Sequence, residues 1–297
     1  MAGLMQVLIG KGGGEFKKAE VLKGTDGEPL IIPADDEKNL TDKICTRPFA
    51  VDWNGDGQLD LVVGNFIGTF YWFKGLGKGK FEPKPEQILV DGKPLKISGV
   101  HSDPIIVDWD GDGDLDIVSG SSDGSIVWAE NTAGKDKPPV LKAFKTLVSK
   151  GVYADGSKMV GEENLSRPNY GVRVWVDDIN GDGKLDLIAG DQVTLVTPAK
   201  GLSADEVTKK LKDWDAEYKK ASDAIQELSK QNPTLKKKDK DKEKEQDKEK
   251  EKEDKKAAEE FSKTQQRAYE ELNLIYKKRG DIIKEEVTGF VWVYLQK

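Results

Sequence analysis

Short hydrophobic runs separated by glycine, asparagine and aspartate cover most of the chain and predict β-strands. Three consecutive runs in residues 48–75 show the pattern: PFAVDW, LDLVVGN and GTFYWFKG. They are rich in β-branched and aromatic residues, which favour strands. A weaker run, FEPKPEQIL at residues 81–89, contains prolines, as expected of an edge strand. This part of the sequence therefore predicts a unit of four short strands.

The unit is repeated along the chain. A shift of 56 residues places residues 47–73 over residues 103–129, and a third copy at 167–192 has about six additional residues before its loop. The third-strand pattern returns near the end as GFVWVYLQ. Radially repeated short strands are typical of β-propeller blades. We therefore predict a mainly β fold with about three blades and a partial one, incomplete or open because closed propellers contain at least about four.

A helical pattern interrupts the third unit. The residues SADE at 203–206 form a capping box, in which the Ser203 hydroxyl and the Glu206 carboxylate satisfy free N–H groups at a helix start. Beyond the box, apolar and aromatic residues recur alternately four and three positions apart: Val207, Leu211, Trp214, Tyr218, Ala221, Ile225 and Leu228. This spacing predicts a helix with one hydrophobic seam.

A second helix is predicted over residues 256–286. Its seam comprises Phe261, Ala268, Leu272, Ile275 and Ile282, with Tyr269 and Tyr276 alongside. Because neither seam is stable alone, we expect an antiparallel coiled-coil hairpin over residues 201–286, inserted between propeller-type residues 1–200 and 287–297. The tip of the hairpin, about 234–256, is almost entirely charged, and we expect it to be disordered or a solvated helix.

Charge and composition exclude several functions. The net charge is −7 with both signs abundant, and acidic residues nearly cancel the lysines of the tip, so nucleic acid is not an expected partner. The single cysteine, Cys45, excludes an internal disulfide. No apolar run approaches the roughly 18 residues of a membrane span. The N-terminus lacks the features of a signal peptide, so either the protein is cytoplasmic or its leader lies outside this chain.

One acidic pattern, D-x-[DN]-x-D-G-x-x-D, occurs at residues 52–60, 108–116 and 178–186. It places side-chain oxygens at loop positions one, three, five and nine, with a backbone carbonyl available at position seven. Such a set of oxygens suits a hard cation with about six to eight ligands, which favours calcium over magnesium or zinc. The alternative is that these segments are Asp/Gly-rich turns without a metal.

An EF-hand does not fit, because its twelfth position should be glutamate and is Val63, Ser119 or Ala189 here, and because the flanks are predicted strands. The chain instead resembles the FG-GAP/VCBS repeat family, to which the integrin α-chain propeller belongs. The resemblance implies a calcium loop between the first two strands of each blade. It implies up to three Ca²⁺ sites, with side-chain ligands Asp52, Asn54, Asp56 and Asp60; Asp108, Asp110, Asp112 and Asp116; and Asp178, Asn180, Asp182 and Asp186. Backbone carbonyls of Gln58, Asp114 and Lys184 would complete them.

We expect calcium to be mainly structural and the most acidic second loop to bind most tightly. Extracellular calcium modules commonly bind at about 0.1–1 mM, far above cytosolic concentrations, so the expected location is secreted, periplasmic or at the cell surface. The repeated Trp72, Trp128 and Trp292 are expected to pack between blades rather than to stack on sugars. His101 and Cys45 are expected to be a turn histidine and an inert residue.

The predicted function is an extracytoplasmic binding or scaffold module whose protein or carbohydrate ligand is unknown. No catalytic constellation is visible, so we do not expect an enzyme. Two alternatives are a propeller-type polysaccharide lyase and a structural assembly protein that self-associates through the helical hairpin.

Overall fold

The computed structural model describes residues 3–33, 41–151, 159–231 and 248–297. The fold is mainly β, with 34% of the chain in strands and 23% in helices. The described strands are β1 (Gln6–Val7), β2 (Gly10–Gly12), β3 (Glu15–Phe16), β4 (Glu20–Val21), β5 (Arg47–Val51), β6 (Asp60–Gly64), β7 (Phe70–Phe73), β8 (Glu86–Gln87), β9 (Leu89–Val90), β10 (Lys93–Pro94), β11 (Asp103–Val107), β12 (Asp116–Gly120), β13 (Ile126–Ala129), β14 (Lys145–Val148), β15 (Tyr170–Asp177), β16 (Asp186–Pro198), β17 (Ile283–Thr288) and β18 (Val291–Tyr294). The described helices are α1 (Ala204–Lys230) and α2 (Lys248–Lys278).

The described residues contain three four-stranded antiparallel sheets, and each corresponds to one repeat. The first two have the strand orders β5-β6-β7-β8 and β11-β12-β13-β14. The third has the order β15-β16-β17, and β18 also pairs with β16. Strand β18 occupies the third-strand place of this sheet, because Leu187 pairs with Tyr294 as Ile117 pairs with Ala129 in the second sheet. The repeat predicted from the sequence is therefore also a repeat of strand pairing.

Alternation along the strands packs neighbouring sheets together. Val62 in β6 lies in a cluster with residues of the second sheet, whereas the adjacent Leu61 and Val63 face the other way, onto N-terminal residues such as Leu30. In the same manner a second cluster joins the second and third sheets, with Val118 fully buried in it. Buried strand residues thus pack on both faces of the first two sheets.

The third sheet has exposed hydrophobic residues on the face that points away from the second sheet. Trp175, Val291 and Val293 are 56%, 72% and 53% exposed there. The residues beside them, such as Ala189 and Trp292, face the second sheet and pack in the cluster described above.

The helical segment begins as the sequence predicts. Ser203 caps α1: its side chain accepts a hydrogen bond from the Glu206 N–H, and the Glu206 carboxylate accepts one from the Ser203 N–H. Val207, Leu211 and Trp214, from the first turns of α1, are buried with Ile275 from the last turn of α2. The hydrophobic seam of α1 therefore has a partner in α2.

The predicted end of the second helix is wrong. Helix α2 ends at Lys278 rather than at residue 286, and a 3₁₀ turn at Arg279–Asp281 leads into β17, which pairs with β16. Glycine at position 280 weakens helix propensity, and the residues that follow it form backbone hydrogen bonds with β16 in place of those within a helix. Residues 248–256 of the predicted tip are helical, and the rest of the tip, 234–247, lies outside the described residues.

The chain divides into two compact units. One comprises Met1–Tyr153, Leu165–Val193 and Val287–Lys297, and the other comprises Ala154–Asn164 and Thr194–Glu286. In the part of the chain that the structure describes, no helix combines the length and the apolar character that crossing a lipid bilayer requires.

Candidate metal sites

Each acidic loop closes the hairpin between the first and second strands of its sheet. The last pairs before the three loops are Val51 with Asp60, Val107 with Asp116 and Asp177 with Asp186. The glycine at loop position six has a positive φ in all three cases: Gly57 at 82°, Gly113 at 97° and Gly183 at 84°. This left-handed conformation is accessible to glycine without strain and turns the loop back on itself.

The second loop gathers three carboxylates into one group. One oxygen from each of Asp108, Asp110 and Asp112 lies within 4.8 Å of the others. Among the described residues, no other group of three or more acidic, histidine or cysteine side chains lies close enough to share a metal ion. The oxygens of Asp108 also accept hydrogen bonds from the N–H groups of Gly111 (2.8 Å) and Gly113 (3.0 Å), which fix the carboxylate in the loop.

Mutual repulsion is visible in this group. Burial raises the pKa of Asp110, and the neighbouring carboxylate of Asp112 raises it further. A bound cation would remove this repulsion, because a nearby positive charge favours the ionised form of a carboxylate. The arrangement and its all-oxygen chemistry therefore fit a hard divalent cation.

The first and third loops have the same framework with less negative charge. Asp52 accepts hydrogen bonds from the N–H groups of Asp56 and Gly57. Asp178 likewise accepts from Asp182 and Gly183. In both loops a carboxamide replaces the central carboxylate of the second loop: Asn54 donates to Asp56 (2.9 Å) and Asn180 donates to Asp182 (3.1 Å).

These carboxamides partly satisfy the carboxylates that would bind the ion. The hydrogen bond from Asn54 is the main cause that lowers the pKa of Asp56, and Lys74, 3.5 Å away, acts in the same direction. The carboxylates of the first loop are therefore less destabilised by mutual repulsion than those of the second, so a cation would relieve less repulsion there. This difference supports the second loop as the strongest of the candidate sites.

The aspartates at position nine lie deeper than the rest of the loop. Asp60, Asp116 and Asp186 are fully buried. One oxygen of each accepts a hydrogen bond from the N–H of loop position two, and the other accepts one from the N–H of the second residue after the third strand. The donors are Trp53 (3.2 Å) and Gly75 (2.6 Å) for Asp60, Trp109 (3.1 Å) and Asn131 (2.7 Å) for Asp116, and Ile179 (3.1 Å) and Gln296 (2.8 Å) for Asp186.

Sequence reasoning missed this second role of position nine. The three-carboxylate group does not include Asp116. A usable signal existed in the first two repeats, since Gly75 and Asn131 both lie 15 residues after the aspartate that they contact. Ligation of an ion by Asp60, Asp116 and Asp186 stays a prediction, as does ligation by the carbonyls of Gln58, Asp114 and Lys184.

Position seven distinguishes the second loop from the others. The side chains of Gln58 and Lys184 are exposed, whereas Asp114 is only 3% exposed. One oxygen of Asp114 accepts a hydrogen bond from the Gly134 N–H at 2.7 Å. Burial is the main cause that raises the pKa of Asp114, and repulsion by Asp112 adds to it.

The other candidate residues have structural surroundings. Trp72 packs against the cluster between the first and second sheets, and Trp128 and Trp292 pack against the cluster between the second and third, which confirms their prediction as packing residues. His101 and Cys45 occupy equivalent turns with φ of 63° and 55°. The ring of His101 meets Phe66 edge-on at 4.6 Å, and burial lowers the pKa of His101.

Successive four-stranded sheets with an acidic loop in the first hairpin define a class of β-repeat protein. A family model described as FG-GAP-like repeat matches residues 52–119 and 108–189, and both matches begin at an acidic loop. The match supports a relation of residues 52–189 to FG-GAP-like repeats. No curated protein matches the chain significantly.

Proposed function

We propose that the chain is a calcium-binding module of β-propeller-type blades that acts as a binding or scaffold domain outside the cytoplasm. The observation that carries this proposal is the close group formed by Asp108, Asp110 and Asp112 within a loop that recurs at the same place in each sheet. Packing of successive four-stranded sheets through shared hydrophobic clusters supports their interpretation as blades.

In this proposal the ion has a structural role. Calcium would supply positive charge at the centre of each loop, and Asp108, Asp110 and Asp112 would hold it in the second loop. Asp52 with Asp56, and Asp178 with Asp182, would do so in the first and third. Each occupied site stabilises the folded state by about 2.7 kcal/mol when free calcium is about a hundredfold above the Kd. Three such contributions are comparable with the stability of a typical domain, about 5–15 kcal/mol.

The role outside the cytoplasm follows from the affinity that such loops would have. Extracellular modules bind calcium at about 0.1–1 mM, and loops of that affinity would be occupied outside the cytoplasm but not at the far lower cytosolic concentration. The partner would be a protein or carbohydrate held by loops on a rigid set of sheets. We propose that the module is not itself an enzyme, and steady production of unsaturated ends from an acidic polysaccharide would contradict this.

Calorimetric titration of demetallated protein with calcium tests the proposal directly. We expect heat of binding, a Kd in the range given above and a melting temperature that falls when EDTA is added. The double variant Asp110→Asn with Asp112→Asn should lose the tightest binding event. The matched control Asp91→Asn changes an exposed aspartate in the β9–β10 turn and should bind as the wild type does. A titration without heat, together with a melting temperature unaffected by EDTA, would overturn the proposal.

A further inference from the structure

Three hydrophobic side chains form a row across the exposed face of the third sheet. Strand pairing places Trp175 beside Ile188 and Ile188 beside Val293, and we call these three residues the central row. The same positions of the first two sheets also hold hydrophobic rows, and each is packed in the cluster that its sheet shares with the next one. These rows are Phe49, Val62 and Trp72 in the first sheet and Ile105, Val118 and Trp128 in the second. The central row, in which Trp175 and Val293 are more than half exposed, therefore occupies a place that another sheet covers in the other two repeats.

Opposite charges lie on either side of the central row in β15. Arg173, Trp175 and Asp177 point to the same exposed face, because side chains alternate along a strand. In the first two repeats Val51 and Val107 stand at the position of Asp177, and both pack in the clusters between sheets. A further repeat of the ordinary kind would therefore bury the Asp177 carboxylate, which is costly unless a positive charge faces it. The face consequently requires a partner that is apolar at its centre and cationic opposite Asp177.

A second copy of the same face has these properties. A half-turn about the central row stacks two such sheets with their strands antiparallel and aligned, which is a common way for sheets to pack. The central rows then meet each other, Arg173 of each copy lies opposite Asp177 of the other, and Val291 lies opposite Leu295. Arg173 can make this contact, because its side chain is half exposed and reaches Asp103 through Nη1 at 3.2 Å. A guanidinium has five N–H donors and can pair with a second carboxylate.

We propose that the exposed face of the third sheet binds the same face of a second copy of the chain, which gives a dimer with two-fold symmetry. Hydrophobic contacts form its centre and two Arg173–Asp177 ion pairs form its rim, an arrangement typical of protein interfaces. The contact is three strands wide and about five residues long, or roughly 15 Å by 17 Å. It is smaller than the standard of about 800 Å² per partner, so we expect a weak dimer that dissociates on dilution.

Sedimentation equilibrium of the full chain over a series of concentrations, in the presence of calcium, tests the dimer. The wild type should change from monomer to dimer as the concentration rises. Trp175→Lys should dimerise at least about tenfold more weakly, because it places two like charges at the centre of the contact. The control Phe16→Lys changes a ring of similar exposure, 58%, in β3 and should dimerise as the wild type does. Dimerisation of Trp175→Lys at wild-type strength would overturn the inference.

A pair of charge variants tests the antiparallel arrangement. Arg173→Asp and Asp177→Arg should each dimerise at least about tenfold more weakly than the wild type, because like charges then face each other at both ends of the contact. An equimolar mixture of the two should recover dimers, because each variant meets opposite charges on the other. Circular dichroism verifies that each variant keeps the β fold. A mixture as monomeric as its components would overturn the arrangement. A wild type that stays monomeric at all concentrations would overturn the inference and assign the face to a different protein, while the proposed calcium module would be unaffected.

Discussion

At the scale of single residues, the aspartate at loop position nine links each acidic loop to the rest of its sheet. Asp116 accepts hydrogen bonds from Trp109 inside the loop and from Asn131 just beyond the third strand. Loop geometry and strand pairing are therefore connected through one buried carboxylate. An ion that orders the loop would act on the whole sheet by this route.

The same burial predicts how stability depends on pH when calcium is absent. Burial raises the pKa of Asp116 to about 6, although hydrogen bonds from Asn131 and Trp109 oppose the shift. Unfolded aspartate has a pKa of about 3.9, so the folded state holds its proton more tightly. The stabilisation is complete below about pH 4 and is lost as the pH rises through about 6, with a change of at most about 3 kcal/mol, which solvent screening reduces.

Urea unfolding in EDTA between pH 4.5 and 7.5 measures this dependence. The wild type should lose stability as the pH rises, and Asp116→Asn should lose less, because its carboxamide does not titrate. Excess calcium should reduce the difference, since a cation favours the ionised carboxylate. Parallel pH profiles for the two proteins in EDTA would contradict the assignment to Asp116.

Residues of the candidate site differ in how far the sequence could predict them. Asp108, Asp110 and Asp112 come together as the loop spacing indicates, because positions one, three and five lie within a single turn. The contact of Asp114 could not be read in that way, because its partner is the backbone N–H group of Gly134. The contact of Asp116 with Asn131 is marked in the sequence only by a spacing of 15 residues, which Asp60 and Gly75 share.

At the scale of elements, periodicity predicted the interiors of strands and helices better than their ends. The seam of α1 was predictable because Val207, Leu211 and Trp214 follow one helical face and are buried on it. The end of α2 was not, because β17 (Ile283–Thr288) has only the weak strand pattern IKEEVT. Its conformation is set by pairing with β16, which lies far away in the sequence.

The contact between the two helices gives a prediction at the same scale. The Trp214 indole N–H donates a 2.7 Å hydrogen bond to the Ile275 carbonyl, and the Trp214 ring stacks on Tyr218. Trp214→Phe keeps an aromatic ring but leaves a buried carbonyl without its donor. We expect the helical unit to lose about 1–3 kcal/mol of stability, measured by hydrogen exchange of α1 amides. Tyr276→Phe, which changes an exposed ring, is the control, and equal losses would contradict the prediction.

At the scale of the whole molecule, the third repeat is assembled from two distant parts of the chain. Strand β18 pairs with β16 through Gly190 and Val291, and the Gln296 N–H bonds to the Asp186 carboxylate. These contacts are equivalent to those of the first two repeats, in which no long insertion intervenes. The third sheet therefore obtains its third strand and its buried link without contributions from the helices.

Removal of the helices should consequently leave the repeats folded. Residues 200–281 can be replaced by an Asn-Gly turn, because the Ala199 N–H already bonds to the Ile282 carbonyl and places the two chain ends side by side. We expect this variant to keep its β-type circular dichroism and the melting-temperature shift caused by calcium. Under the alternative of an assembly protein that associates through the helical hairpin, any self-association of the full chain, measured by analytical ultracentrifugation, should be lost. Loss of the calcium response would show instead that the helical insertion supports the third repeat, and retained association would place the contact on the sheets.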